Sequence, residues 1–155
     1  MHELIRQQLT SRVPFAQHLG LQVQGLDGRS ASVLAVPAPH LSNHVGSLHA
    51  GLVFAACEAA SGAALAGALA AVILRARFVV RDARIAYLKP ATGDVTATAA
   101  LVDEGERLLD ELQHLGRADA VVDVNARVRG ASASPHDALV VAKASFTWHL
   151  RLDAA

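Results

Sequence analysis

After His49 the chain runs to Leu74 almost entirely as alanine, glycine and aliphatic residues, and Glu58 is the only charged group in that stretch. A helix apolar on nearly every side needs cover on nearly every side, so this one run dictates much of what the rest of the chain must do. It is long enough to cross a bilayer core. Its main component, alanine, drives insertion only weakly, however, and an acidic residue near the centre of a span costs about 2.5–3.5 kcal/mol. No second span follows, and the remaining sequence reads as strands. The spacing predicts a buried helix from about Leu48 to Leu69, with Ser47 as its cap. The small residues let another backbone approach closely, while Phe54, Leu65 and Leu69 supply bulk.

The flanking sequence offers the cover. Glu3 to about His18 reads as a helix with Leu4, Ile5, Leu9 and Val13 on one side. Leu21 and Val23 alternate with Gln22 and Gln24, and Asp27-Gly28 is a hairpin signal in which the glycine is expected at positive φ. Ala31, Val33 and Ala35 resume the alternation. Ala83, Ile85 and Tyr87 alternate with Asp82, Arg84 and Ala86; Pro90 to Gly93 then reads as a turn, with "DVTATAALV" as the returning strand. A short helix follows in "DEGERLLDELQHLG", with Asp103 as cap, Glu106 reaching back, Leu108, Leu109, Leu112 and Leu115 on its face and Gly116 as its stop. Two long strands close the chain, one with Ala120 to Val128 and one with Val140 to Leu150 on the apolar side. A period of two means one buried face. The expected architecture is α+β, a long central helix wrapped by a curved antiparallel sheet.

Composition narrows the function classes. The 155 residues suit one domain, residues 1–155, with an N-terminal helix over 1–18 and a core over 19–155. Formal charge is +0 and charged residues make up 18%, so there is no basic patch to hold a nucleic-acid backbone. The apolar share is 52% with only 4% aromatic, which suits a domain that also buries surface against another subunit. A lone cysteine, Cys57, excludes an internal disulfide and fits a reducing compartment. The opening "MHELIRQQLTSRVPF" carries no apolar run before a small-residue cleavage site, so a cytoplasmic location is expected, with neither nucleic acid nor membrane as partner.

The stretch "NHVGSLHAGLVFAACEAASG" resembles the signature of hotdog-fold acyl-CoA thioesterases of the PaaI-like branch, in an uncharacterised subgroup. Asn43, Gly46, His49, Ala50, Gly51 and Glu58 fall on the places of that pattern. The later "AYLKPATGDVTATAALV" is similar to the strand-turn-strand that follows in the family, and the element order agrees from about Leu19 to Leu152. The resemblance implies a hotdog fold, hydrolysis of an acyl-CoA or carrier-bound thioester, no cofactor beyond the coenzyme A of the substrate, and no metal. It also implies a homodimer or dimer of dimers, with the carboxylate from one subunit and the Asn and helix-start amide from the other. Two places depart from the pattern: "HAG" stands for the usual "HGG", and Gly62, beside Ser61, stands where many relatives carry Ser or Thr.

The chemistry of the same residues agrees. A helix start offers free N–H groups and a positive dipole end, so the amides of Ala50 and Gly51 are candidate oxyanion donors. Asn43 is a candidate for orienting water or thioester, and His49 for supporting the loop or contacting the acyl carbonyl. Glu58 is the candidate base or nucleophile, its pKa raised by apolar surroundings. Gly46, Ser61 and Gly62 are candidate substrate contacts; Arg81 and Lys89, with Arg75 and Arg77, are candidates for the phosphates of coenzyme A. Blander roles stand beside these. Glu58 can be a structural partner of an arginine such as Arg84, Asn43 a turn residue, Cys57 a small buried hydrophobe, Trp148 packing, and the arginines merely solvated. His40, His44 and His49 lie close in sequence, but no Asp, Glu or Cys at matching spacing completes a metal site. A non-catalytic acyl-binding module and a 3-hydroxyacyl-thioester dehydratase are the alternatives to a thioesterase.

Overall fold

The apolar stretch forms the helix that the rest of the chain surrounds. In the computed structural model, which describes residues 1–101, 105–129 and 138–153, the elements run α1 (His2–Arg12), α2 (Pro14–His18), β1 (Gln22–Leu26), β2 (Ser30–Ala35), a short turn of 3-10 helix (Pro39–Leu41), α3 (Ala50–Ala68), β3 (Ala76–Tyr87), β4 (Val95–Ala100), α4 (Gly105–Leu115), β5 (Arg117–Val128) and β6 (Leu139–Leu152). The six strands form one sheet in the order β1-β2-β4-β5-β6-β3, every pair antiparallel. Its inner face meets α3: Val33, Ala35, Val95, Ala97, Val122, Ala126 and Phe146 are closed to solvent. Of the most apolar window of α3, 72% is buried within the fold, so its hydrophobicity is spent on the core.

The alternating strands behave as their sequence predicts. Along β5 every second residue from Ala118 to Val128 is buried, and along β6 the alternating buried set is Ala142, Ala144, Phe146, Trp148 and Leu150. Val140 is only half-buried and Val141 is buried, because the β5–β6 register shifts between Ala126 and Arg127. The strand after α3 starts earlier than its clear alternation, at Ala76, and carries an irregularity between Val80 and Asp82.

Four expectations are corrected. The N-terminal helix is two helices: Pro14 has no N–H to continue the ladder, and Val13 before it is extended at φ −100° and ψ 99°. On α1, Ile5 is buried but Leu4 is exposed. The turn after Asp27 does not use a left-handed Gly28. The Asp27 carboxylate instead accepts the N–H groups of Arg29 and Ser30 at 2.7 and 2.6 Å, building the turn from a side chain. Residues 95–100 are the expected strand but do not return beside β3; β4 pairs with β2 and β5. The link from Leu88 to Asp94 crosses the end of the sheet, pinned where Val141 O accepts Leu88 N–H and where Ala91 O accepts Leu48 N–H. The Asp103 cap lies outside the described residues; Gly116 ends α4 as expected, at φ 66°.

The hairpin turn sits against the far end of α3. A Cβ built on Gly67 would lie 2.1 Å from the Asp27 carbonyl oxygen, and the Gly67 carbonyl itself is 3.2 Å from His2 Nε2. Glycine to alanine inside a helix normally stabilises. Here Gly67→Ala is expected to lower the unfolding free energy by about 3 kcal/mol, the upper end for overpacking. Urea denaturation followed by circular dichroism measures it.

Candidate active site

The loop before α3 is built around Asn43. Its Oδ1 accepts the N–H groups of Val45 and Ser47 at 3.1 and 3.0 Å, and its Nδ2 donates to Ser47 Oγ at 2.8 Å and to Leu48 O at 3.4 Å. Gly46 turns the loop at φ 80°, a conformation that favours glycine. Leu41 O accepts His49 N–H at 2.9 Å and Ala91 O accepts Leu48 N–H at 2.9 Å, so the loop delivers the chain to the helix start at a fixed angle.

His49, not Ser47, caps α3. Its Nδ1 accepts the Gly51 N–H at 2.9 Å, which places the ring proton on Nε2. That bond removes Gly51 from the set of free amides. Among the described residues the Ala50 N–H has no partner, and it stands exposed at the positive end of the helix. The Tyr87 hydroxyl donates to Ala50 O at 3.0 Å and fixes this turn from β3. Ala50 and Tyr87 line an open cleft of about 340 Å³ with Asn43, Val53, Lys89 and Pro90.

Glu58 is elsewhere on the same helix. Eight residues separate it from Ala50, about 12 Å along the axis at the α-helical rise. From Ala50 to Gly67, only Ala50, Gly51, Phe54, Glu58 and Ala59 escape full burial. Positions 51, 54 and 58 share one face of a helix, so the sheet leaves one stripe of α3 uncovered and the carboxylate stands on it. Glu58 borders a second cavity, of about 140 Å³, where among the described residues it is the only ionisable group in apolar walls that include Phe78 and Trp148. Among the described residues its carboxylate has no hydrogen-bond or ion-pair partner, and burial raises its pKa above the ordinary carboxylate value. Arg84 lies in a different cleft, with Asp123, Asn125 and Lys143, so it is not the structural counter-ion of Glu58.

Other candidates are placed as follows. Gly62 lines the Glu58 cavity, and a Cβ there would meet the Trp148 ring at 3.2 Å. Ser61 is fully buried: its hydroxyl donates to Glu58 O at 2.7 Å and accepts the Trp148 indole N–H at 3.0 Å, so it serves packing and does not border the cavity. Arg81 pairs with Asp119 at 3.2 Å, and Asp119 also takes His149 Nδ1 at 2.8 Å, away from both cavities; Arg77 pairs with Asp153. Lys89 does border the helix-start cleft. Burial pushes the Cys57 thiol up to about 12, which makes it an inert core residue. Sequence reasoning missed Tyr87 as a brace for the helix start and the N-terminal helices as cavity walls. Tyr87 ends a strand immediately before the loop that returns to Leu48, which is a signal only once that loop's path is known.

A long buried helix in a curved antiparallel sheet, with a polar loop at its start and one carboxylate partway along it, defines a hotdog protein. The chain is similar over its length to a Pseudomonas aeruginosa protein of unknown function called a probable thioesterase (24% identity, 98% of this chain and 96% of that one, TM-score 0.79). It is also similar to a thioesterase family protein from Silicibacter pomeroyi (18%, 98% and 99%, 0.76) and to the E. coli PaaI protein from the phenylacetic acid degradation operon (18%, 99% and 95%, 0.71). No curated protein matches the sequence significantly. The family described as a domain of unknown function (DUF4442) matches residues 1–150, and the chain belongs to that family.

The half-buried carboxylate makes a prediction about stability. Since the folded pKa of Glu58 is raised, the neutral acid is favoured by folding. The native state is then unpenalised below the ordinary value of 4.5 and loses stability as pH rises through the raised value. Glu58→Gln is expected to melt at a higher temperature than the parent at neutral pH, with the difference shrinking to nothing in acid. Thermal scans across pH measure it.

Proposed function

We propose that the protein is a thioesterase that hydrolyses acyl-CoA or related acyl thioesters, as a homodimer in which Glu58 of one chain faces the Ala50 amide of the other. The observation that carries this reading is the unpartnered carboxylate on the single uncovered stripe of α3, beside an apolar cavity. A carboxylate about 12 Å along the helix from its own N-terminus cannot reach a carbonyl held there. A second copy laid against the same stripe, running the opposite way, supplies a helix start within reach. The edge strand β3, with Val79 61% exposed and no partner on its outer side, supports such pairing.

In the reaction Glu58 takes a proton from water as the water oxygen attacks the thioester carbon. The oxyanion that forms accepts the Ala50 N–H, and the helix dipole favours its charge. Collapse of the tetrahedral intermediate breaks the C–S bond. The departing thiolate takes the proton back from Glu58, leaving a carboxylic acid and a free thiol. A pKa raised by burial makes Glu58 a stronger base than an ordinary carboxylate. Lys89 beside the helix start supports an anionic carrier such as coenzyme A. The same proposal places the protein in the cytoplasm, where a thioester substrate and a reduced Cys57 are both at home.

One observation favours a second reading, a module that binds acyl thioesters without turning them over. The Asn43 amide and the Gly51 N–H are both engaged within the chain, so fewer polar groups than the resemblance implied are free to meet the thioester. Release of free thiol from a panel of acyl-CoAs separates the two: a thioesterase releases it, a binding module does not. Glu58→Ala is expected to slow release by about 10²–10⁴-fold. Ala50→Pro removes the free amide at the first helical position, where proline is well tolerated and His49 already has a compatible ψ of 137°; it is expected to cost about 10²–10³-fold with the fold intact.

A further inference from the structure

The cavity beside Glu58 has a shape and size of its own. On α3 its wall is Ala55, Glu58, Ala59, Gly62 and Ala63, a face whose spacing repeats at three and four residues. Apart from Glu58 every member of that face is Ala or Gly, so the space exists because side chains are missing there. Trp148 bounds it near Gly62, and its ring meets Phe78 edge-on at 5.5 Å. Leu21 just before β1, Val23 of β1 and Val33 of β2 also bound it, and the N-terminal helix pair completes the cover with Leu9 of α1, Val13 at the break and Phe15 and Ala16 of α2. Arg6 ties that pair to the sheet by donating to Val23 O at 3.1 Å, and His2 ties it to α3. At about 140 Å³ the space matches an apolar cavity of about 150 Å³ that stays dry and admits benzene.

We propose that this chamber binds the acyl group, that it admits acyl groups of up to about six carbons, and that Leu9 and Val13 of the N-terminal helix pair, which line it together with Ala59 of α3, set that limit. The inference takes its thioester from the function proposed above and adds the acyl size and the residues that select it. Apart from Glu58 the wall is apolar, and each methylene buried against it tightens binding about fourfold. Glu58, the only charged group on that wall, marks where the hydrocarbon ends and the reacting carbonyl begins. Longer chains meet Leu9 and Val13 and must displace a helix pair held at His2 and Arg6.

Trp148 is the only tryptophan in the chain, so its emission reports on the chamber directly. The intact protein is titrated with non-hydrolysable thioether analogues of two-, six-, ten- and sixteen-carbon acyl-CoAs. The six-carbon analogue is expected to shift the emission and to bind about 250-fold more tightly than the two-carbon one, and the sixteen-carbon analogue to bind at least tenfold more weakly than the six. Ala59→Leu, checked for an unchanged melting profile, is expected to abolish the six-carbon emission shift, and Leu9→Ala to bring ten-carbon affinity up to the six-carbon level. Equal affinity for six and sixteen carbons, or tight six-carbon binding with silent emission and no response to either variant, overturns the proposal. An emission shift with the analogues and no thiol release from the matching acyl-CoA thioesters supports the chamber and sinks the thioesterase reading; thiol release from those thioesters with emission silent to the analogues sinks the chamber alone.

Discussion

Close packing of an alanine-rich helix inside a curved sheet is the constraint from which the rest follows. Ala56, Ala60 and Ala64 have no exposure at all, and the sheet approaches α3 as nearly as methyl groups permit. At Gly67 even a methyl group is too much, because the Asp27 carbonyl occupies its place. Large side chains are rationed to positions such as Leu65 and Phe146. A helix with so little side-chain volume lets backbone approach backbone and leaves room wherever the sheet does not press.

That room lies along one stripe. The sheet covers α3 from β1 round to β6, and the uncovered residues fall on the face of Gly51, Phe54 and Glu58. A carboxylate there stands between water and an apolar wall, and burial without a counter-ion raises its pKa. The same helix presents its free amide two turns away, where its dipole is felt most. Acid and amide on one rigid element cannot meet each other but can meet their equivalents on a second copy. In the dimer proposed above, a two-fold axis joining two such stripes makes two sites at once.

Much of this was legible in the sequence, and the residues show why. The absence of any polar face after His49 predicted a buried helix, and strict alternation predicted β5 and β6 nearly to the residue. Strand pairing was less accessible: nothing local in "KPATGD" says that the chain will cross the sheet end instead of doubling back. The site divides in the same way. Glu58 stood out because a lone charge in an apolar run is expensive. The split between Asn43 as loop builder and Ala50 as free donor depends on which hydrogen bonds the folded loop completes. His49 over Ser47 as cap, and Ser61 turned toward Trp148, are choices made by rotamers and neighbours that no spacing encodes.

Whether two chains share one site can be measured by complementation. Purified Glu58→Ala and Ala50→Pro proteins, each inactive or nearly so, are unfolded together, refolded and assayed for thiol release. In each mixed dimer one site receives the intact carboxylate from one chain and the intact amide from the other, while its twin receives neither. The account predicts recovery of about a quarter of the parent's activity under random assortment. Recovery no greater than the sum of the two separate proteins, with mixed dimers demonstrably present, would contradict it.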